Sequence, residues 1–491
     1  MIIIIPFVIA VLVAVVVLIK VIDLCYIFQV KEYRMDRFSS TLNEDGLFPT
    51  LYFRWPRLPA KSLRNLLIIC ISISLLTVSL WLHLKYSEGL WFSALAFVLS
   101  PLIALLFVIV SVLLTRPLAY VRRTRMIDKA MLLIKSRPDI VSVGISGSYG
   151  KTSTKEFLFQ MLSTKYEVAK TDENKNTDVG VAQSILQNIK PNTKYFIAEV
   201  GAYRQGEVAK ATKVFMPQHA IITAFGNQHL DLYGSRENLI KAEGEILEYL
   251  PEKGTAYINA DILSFPHTSK RTKAKVVSFS ATTDKGDIVA TEVEFNTVKE
   301  LTAKIQYTMP AGRKDGSNFT IDTELVGTHN IANILPCIAF CLDQGMTRAE
   351  VVAAVKSLKQ VPGKLSVHKG INDSLVLNES GNSSVDGFIA AIQTVTDQKY
   401  PKNVIISKGI IELGKEKESS YKKLLSTIAD RPIQLYTTDK LFKKHDTSGQ
   451  VHYSSSEKEL LAQIKKISDA KTLILLEGKF TPSLVKAIIL I

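Results

Sequence analysis

The sequence predicts an α/β protein built around a phosphate-binding loop and preceded by about three membrane-spanning helices. Three observations carry this reading. Residues 2–19 form an unbroken apolar run, and two more follow at about 65–84 and about 90–115. Beyond residue 126, short buried-strand patterns alternate with helical ones. The stretch Gly147-Ser-Tyr-Gly-Lys-Thr-Ser153 falls between such a strand and such a helix. A chain of 491 residues holds two or three domains. The shifts in texture divide it into a membrane region at 1–125, a phosphate-loop domain at 126–360 and a second α/β domain at 361–491.

Each apolar run is near the length that crosses a bilayer core. A cleaved signal peptide fits the first poorly, because no basic residue precedes it and no small-residue cleavage site ends it. Lys31, Arg34, Arg37, Arg54, Arg57, Lys61 and Arg64 lie between the first two runs, and Arg116, Arg122, Arg123 and Arg125 follow the third. Only Lys85 and Glu88 lie between runs two and three. Positive-inside bias therefore predicts a multi-pass protein of the cytoplasmic (inner) membrane, with everything after residue 116 in the cytoplasm.

The net charge of +14 resembles a nucleic-acid signal until it is located. Residues 1–125 carry 13 Lys and Arg against 6 Asp and Glu, which is +7 in a quarter of the chain. The rest is spread without a basic block, so membrane lipid is the expected partner and nucleic acid is not. Cys25, Cys70, Cys337 and Cys341 form no C-x-x-C pair, which excludes a zinc ribbon and leaves core packing as the reading.

Along the soluble part, Ile140–Ser146, Tyr195–Val200, Ala220–Ala224 and Gly254–Asn259 read as strands. Thr152–Leu162 and residues 236–250 read as helices. From about 261 to 326 short alternating strands suggest an antiparallel insertion. Helices at Ile331–Gln344 and 348–358 precede Val361-Pro362-Gly363, a plausible boundary. Strands at 375–379, 403–407, 433–437 and 472–476 then alternate with helices, which predicts a second parallel or mixed sheet.

Gly147, Ser148, Gly150, Lys151, Thr152 and Ser153 stand where a phosphate loop requires them. The glycines let backbone N–H groups face phosphate oxygens, the helix start adds a favourable dipole, and Lys151 adds a point charge. The Thr152 hydroxyl is placed to reach a magnesium ion. Position 145 is isoleucine where the common pattern has a further glycine, so this is a shorter G-x-x-G-K-T form; a structural glycine turn is the plainer alternative.

The ordered motifs that follow resemble the Mur ligases, closest to the type that adds D-alanyl-D-alanine. Asn174-Lys-Asn-Thr-Asp178-Val-Gly180 is similar to the family's Asn-rich loop. Glu199-Val-Gly201-Ala202 with Gly206-Glu207, His229-Leu-Asp with Tyr-Gly-Ser235, Gly327-Thr-His329-Asn330-Ile-Ala-Asn333, Val361-Pro362-Gly363-Lys364 and Glu412-Leu-Gly414 each match a later motif. The resemblance spans roughly 140–491. It implies a Mur-ligase central domain and a Rossmann-like C-terminal domain, with ATP and Mg²⁺ as cofactors. It further implies an ATP-dependent acid–amino-acid ligase acting through an acyl phosphate in peptidoglycan synthesis. The partners would be a muropeptide or other envelope-precursor carboxylate and an amino-acid or dipeptide acceptor. By resemblance Lys151, Glu199, His229 and Glu243 are catalytic, with Thr152, Glu199, His229 and Glu243 on the metal. Asn330, Asn333, Lys364, Ser380 and Asn382 join the loop in binding the nucleotide.

The residues support this in their own chemistry. Glu199 ends a buried strand, where a carboxylate is costly unless it meets a cation; a salt bridge is the alternative to a metal. His229 follows another strand end, although a lone histidine more often serves structure. Glu243 stands where relatives carry a carbamylated lysine; it supplies a carboxylate directly, or is a solvated helical glutamate. The D-D-S-Y-N-A-N loop of the family appears as Asn378-Glu379-Ser380-Gly-Asn382-Ser-Ser384, and Lys364 replaces an arginine and its bidentate fork.

Membrane spans stand where soluble relatives carry a UDP-binding domain, which raises the expectation of a lipid-linked substrate. A poly-γ-glutamate-type envelope ligase is a second reading, opposed by the G-T-H-N-I-A-N and P-G-K motifs. A P-loop ATPase coupled to transport is a third, opposed by the absence of an ABC-type signature and by the scarcity of intramembrane polar groups.

Overall fold

The computed structural model describes all residues except 1–3, 32, 87–89, 202–203, 226–234, 298–299, 308–316, 381–384, 399, 411–412, 414–416 and 491. The chain divides into two compact units, Met1–Arg125 and Met126–Ile491.

The first unit is built on α1 (Ile4–Val30), α3 (Leu63–Tyr86) and α4 (Leu90–Leu114), with the short α2 (Met35–Asp45) between the first two. Three stretches, Phe7–Val30, Leu63–Tyr86 and Trp91–Leu114, are long and apolar enough to cross a membrane. Polar pairs fix their packing. Ser72 and Ser111 are 2.9 Å apart, and His83 Nε2 lies 3.1 Å from Ser93 Oγ, so α3 and α4 run antiparallel. Asn65 at the start of α3 donates to Gln29 (2.8 Å) near the end of α1. The basic stretch between these helices is more than a plain loop. Phe38 of α2 stacks on Phe28 at 4.3 Å, turning the chain back along α1. A π-helical turn at Pro49–Phe53 and an extended limb at 54–62 then lead into α3.

A further helix, α5 (Arg116–Ser136), precedes β1 (Val141–Ser146). The next strands are β2 (Val168–Lys170), β3 (Tyr195–Glu199), β4 (His219–Ile222), β5 (Thr255–Asn259) and β6 (Lys275–Ser280). They pair in parallel in the order β2-β3-β1-β4-β5-β6. Strands β7 (Ile288–Thr297), β8 (Glu300–Tyr307) and β9 (Ser317–Thr323) extend this sheet, β7 to β9 antiparallel. The expected antiparallel insertion therefore begins only at β8, because β6 and β7 still join in parallel.

Continuous apolar strands follow from burial on both faces. Val143, Ile145, Ile197 and Ile221 face α6 (Lys151–Ser163) and the helix His329–Asp343. Phe196, Ala198, Ala220 and Ile222 face α7 (Asp178–Asn188) and α8 (Glu207–Phe215). Cys337 and Cys341 are buried in the first of these cores, and Cys25 in the first unit; Cys70 is exposed, against the expectation of core packing.

The second sheet contains β10 (Ser366–Lys369), β11 (Leu375–Glu379), β12 (Lys402–Ser407), β13 (Ile433–Thr437), β14 (Val451–Tyr453) and β15 (Thr472–Glu477). Its order is β10-β11-β15-β12-β13-β14, with only β10 antiparallel to its neighbour. The predicted α/β class and second sheet thus hold. The three-residue edge strands β2 and β14 were too short to leave a pattern.

Candidate active site

Strand β1 lies between β3 and β4, and the chain leaves its carboxyl end into the glycine loop. Such a reversal of strand order is where open α/β sheets leave a crevice for ligands. Gly147 and Gly150 take φ of 134° and 83°. A Cβ on the first would collide with Thr223 Oγ1, and one on the second with Asn333 Oδ1. Thr223, just past β4, holds the loop by donating to the Tyr149 carbonyl at 2.6 Å, and Ser148 N–H donates to Ala224 O at 2.6 Å. The loop is fixed from the neighbouring strand.

Lys151 opens α6, and its ammonium folds back onto the Gly147 carbonyl, with Ser148 O at 3.3 Å. Thr152 Oγ1 donates to Glu199 Oε1 at 3.1 Å. Ser153 is buried in the first turn. The other oxygen of Glu199, a residue 8 % exposed, lies 3.3 Å from Lys155 Nζ. Lys155 is sealed from solvent, and its ammonium also meets Glu156 at 3.5 Å; Glu156 is in turn paired with Lys170. The loop edge therefore carries a chain of alternating charge, Thr152–Glu199–Lys155–Glu156–Lys170.

Glu243, at the end of the helix Arg236–Glu243, is buried and not solvated. Its Oε2 accepts from Ser146 Oγ (2.7 Å) and from Gly147 N–H (3.1 Å). Glu245, two residues on, accepts from Gly206 N–H (2.6 Å) and Ala209 N–H (2.9 Å), satisfying the exposed donors at the start of α8. His229 lies outside the described residues, as do Asn382, Glu412 and Gly414. Among the described residues no group of three or more His, Cys, Asp or Glu is arranged to hold a metal.

Asn330 is buried, and its amide donates to Val326 O at 2.7 Å. Asn333 donates to Asn330 Oδ1 at 3.2 Å and accepts from Thr154 of α6, so the pair joins its helix to the loop helix. His329 sits beside Gly327 and Thr394, and its Nδ1 is buried without a hydrogen-bond partner. Burial, then the nearby Lys364 charge, lowers its pKa to about 4. Lys364 pairs with Glu379 at 3.3 Å; burial pushes that carboxyl up and the lysine opposes it. Ser380 N–H donates to Asn378 Oδ1 at 3.1 Å.

Sequence reasoning missed Lys155, Thr223 and Glu245. Lys155 did leave a signal. It shares helical spacing with Leu158 and Leu162, both fully buried, and a lysine on an apolar stripe needs a partner.

A phosphate loop at a topological switch point, feeding a second parallel sheet, defines the class. Residues 145–341 match the Mur ligase middle domain. Within that class the similarity is to the MurF type. The UDP-N-acetylmuramoyl-tripeptide–D-alanyl-D-alanine ligase of Escherichia coli is 32% identical over 280 residues, 57% of this chain and 60% of that protein. Its counterpart in Bacillus subtilis is 27% identical over 68% of this chain and 72% of that protein. The chain thus spans about 60% of its E. coli relative. In fold it is similar to MurF from Acinetobacter baumannii, with TM-score 0.66 and 22% identity over 73% of this chain and 77% of that one. It is also similar to a MurF ligase from Thermotoga maritima in complex with ADP, with TM-score 0.65 and 22% identity over 74% and 82% of the two chains.

Proposed function

We propose that the chain is a membrane-anchored, ATP-dependent amide-bond ligase of the MurF type, joining an amino acid or D-alanyl-D-alanine to a carboxylate on a cell-wall precursor. The observation that carries this reading is the pairing of the Lys151–Thr152 loop with the buried Glu199 carboxylate, within a Mur ligase middle domain.

The residues fit magnesium–ATP. Two glycines with positive φ let the loop pack closely on Thr223 and Asn333, and a buried carboxylate faces a threonine hydroxyl. Bound there, the nucleotide would supply the phosphoryl group that converts a carboxylate to an acyl phosphate, with magnesium neutralising charge. On this reading the loop N–H groups and Lys151 bind the phosphates, and Thr152 with Glu199 Oε1 holds the cation. Lys155 occupies the second oxygen of Glu199 and keeps the carboxylate oriented. Glu243 fixes the entrance of the loop and brings a permanent carboxylate where relatives carry a modified lysine; His229 is proposed as a further cation ligand. Asn330, Asn333, Lys364, Ser380 and Asn382 are proposed on the nucleotide's far side, at the approach of the second sheet.

The three apolar helices and the basic residues flanking them support an anchor in the cytoplasmic membrane with the second unit in the cytoplasm. A membrane anchor suits a donor carried on lipid as well as one carried on UDP. The test is ADP release by the purified chain with amino acids and D-Ala-D-Ala as acceptors, and muropeptide donors on UDP or on lipid. Turnover that needs both donor and acceptor is expected; ADP release indifferent to both would point to a transport-coupled ATPase instead.

A further inference from the structure

Between α1 and α3 the chain makes a hairpin that runs inward along α1 and out again. Its depth follows from its bonds. At the tip, Tyr52 Oη donates to Val98 O at 2.9 Å. Val98 lies 16 residues before the end of α4, or about 24 Å at the rise of an α-helix. On the outward limb, Arg54 O accepts from Lys20 Nζ (3.2 Å), Arg57 N–H donates to Asp23 Oδ1 (3.2 Å) and Ala60 N–H donates to Gln29 Oε1 (2.7 Å). Reading the three apolar helices as membrane spans, on which this inference rests, makes the hairpin re-entrant.

Irregular backbone survives at membrane depth only where its polar groups are served by protein. Lys20, Asp23 and Gln29 do this for the limb, and Pro56 and Pro59 bring no N–H to serve. Those side chains thereby serve structure, although among the described residues Asp23 Oδ2 stays buried without a hydrogen-bond partner. The guanidinium groups of Arg54 and Arg57 are engaged only in part. Among the described residues Arg54 Nε stands 3.7 Å from Asp23, and Arg57 meets Tyr26 alone, its hydroxyl at 3.5 Å and its ring at 5.8 Å, on an exposed face. Around them Phe53, Trp55 and Leu58 are exposed at 76, 87 and 81%. Lys20, Arg54 and Arg57 against Asp23 leave two positive charges on a surface of exposed aromatic and aliphatic side chains. Arg57 stands level with Tyr26, about 6 Å short of the end of α1, and Arg54 level with Asp23, about 10 Å short of it, within the roughly 5–10 Å boundary of headgroups and chains.

We propose that this limb is a binding site for the phosphate of a lipid in the cytoplasmic leaflet, held by Arg54 and Arg57 with its chains along Phe53, Trp55 and Leu58. Arginine suits the task because its planar fork takes phosphate oxygens in pairs. Asp23 holds the limb, and with it Arg54, in place.

The test uses the full chain in phosphatidylcholine nanodiscs doped with phosphatidylglycerol or with a polyprenyl phosphate, and reads retained lipid by native mass spectrometry. Retention of a phosphate lipid bearing net negative charge over phosphatidylcholine is expected at about tenfold or more. The double substitution Arg54→Gln, Arg57→Gln should abolish this preference. Lys61→Gln, on the same segment, should leave it. The two doped lipids separate a general anionic-lipid site from one for a carrier lipid. Equal retention by wild type and the double variant would overturn the proposal, as would displacement of the lipid by millimolar inorganic phosphate. Release of wild type from membranes by alkaline carbonate would instead remove the span reading on which it stands, while ADP release would still report on the ligase reading.

Discussion

Two buried lysines, Lys155 beside the glycine loop and Lys20 in α1, sit next to buried carboxylates and serve opposite ends. Lys155 Nζ faces carboxylate oxygens of Glu199 and Glu156 at 3.3 and 3.5 Å, and the chain of charge it belongs to runs toward the loop. Lys20 gives its ammonium to a backbone carbonyl, and Asp23 takes a backbone N–H. One pair orients the carboxylate proposed as a cation ligand; the other holds irregular backbone in place. Burial of a charge is thus no sign of function until its partner atoms are known.

Substitutions can break this contrast at either end. The largest effect is expected from Lys151→Ala, whose ammonium is held by loop carbonyls. ATP turnover should fall by about 10²–10³-fold while the thermal midpoint stays put, as activity and calorimetry together would read. Glu243→Gln should cost about a hundredfold or more in magnesium-dependent turnover, since it removes the charge that meets Gly147 N–H; a loss below tenfold would confine Glu243 to holding the loop. Lys155→Met should destabilise the second unit by about 3–5 kcal/mol in chemical denaturation, because the buried Glu199 loses the cation it faces. Adding Glu199→Gln to that variant should restore part of the loss, which would mark the pair as coupled. Asp23→Leu strands the Arg57 N–H and should cost about 1–3 kcal/mol, read as faster proteolysis of residues 54–60 in detergent.

One further effect is confined to low pH. His329 and His219 are both lowered to about 4, mainly by burial. The unfolded chain binds their protons near 6.5 and the folded chain does not, so stability is complete above that pH and falls as pH drops toward 4. His329→Gln should flatten the acid limb of an unfolding curve and leave stability above pH 7 nearly unchanged.

What the sequence revealed follows the same division. The loop was legible because glycine, lysine and threonine at fixed spacing announce a backbone shape and a charge together. Glu199 was legible because a carboxylate ending an apolar strand contradicts its surroundings. Lys155 passed unnoticed because a lysine in a helix reads as solvated unless its stripe is followed to Leu158 and Leu162. The hairpin was invisible for a different reason. In sequence Arg54 and Arg57 look like any cytoplasmic charge between two spans, and no local pattern says that Ala60, Gln29 and Asn65 meet. Glu245 was hidden by distance, since it serves the Gly206 amide from 39 residues away.

The hairpin also imposes an order of assembly. Ala60 gives its N–H to Gln29 of α1, yet its carbonyl accepts from Asn65 of α3 at 2.8 Å. The same Asn65 side chain meets the Tyr33 hydroxyl at 2.6 Å, at the bend before α2. The limb leaves the ribosome after α1 and before the rest of α3. Its bonding is complete only when α3 is in place, so during translation α1 must wait, with its polar face partly unserved, for a helix not yet made.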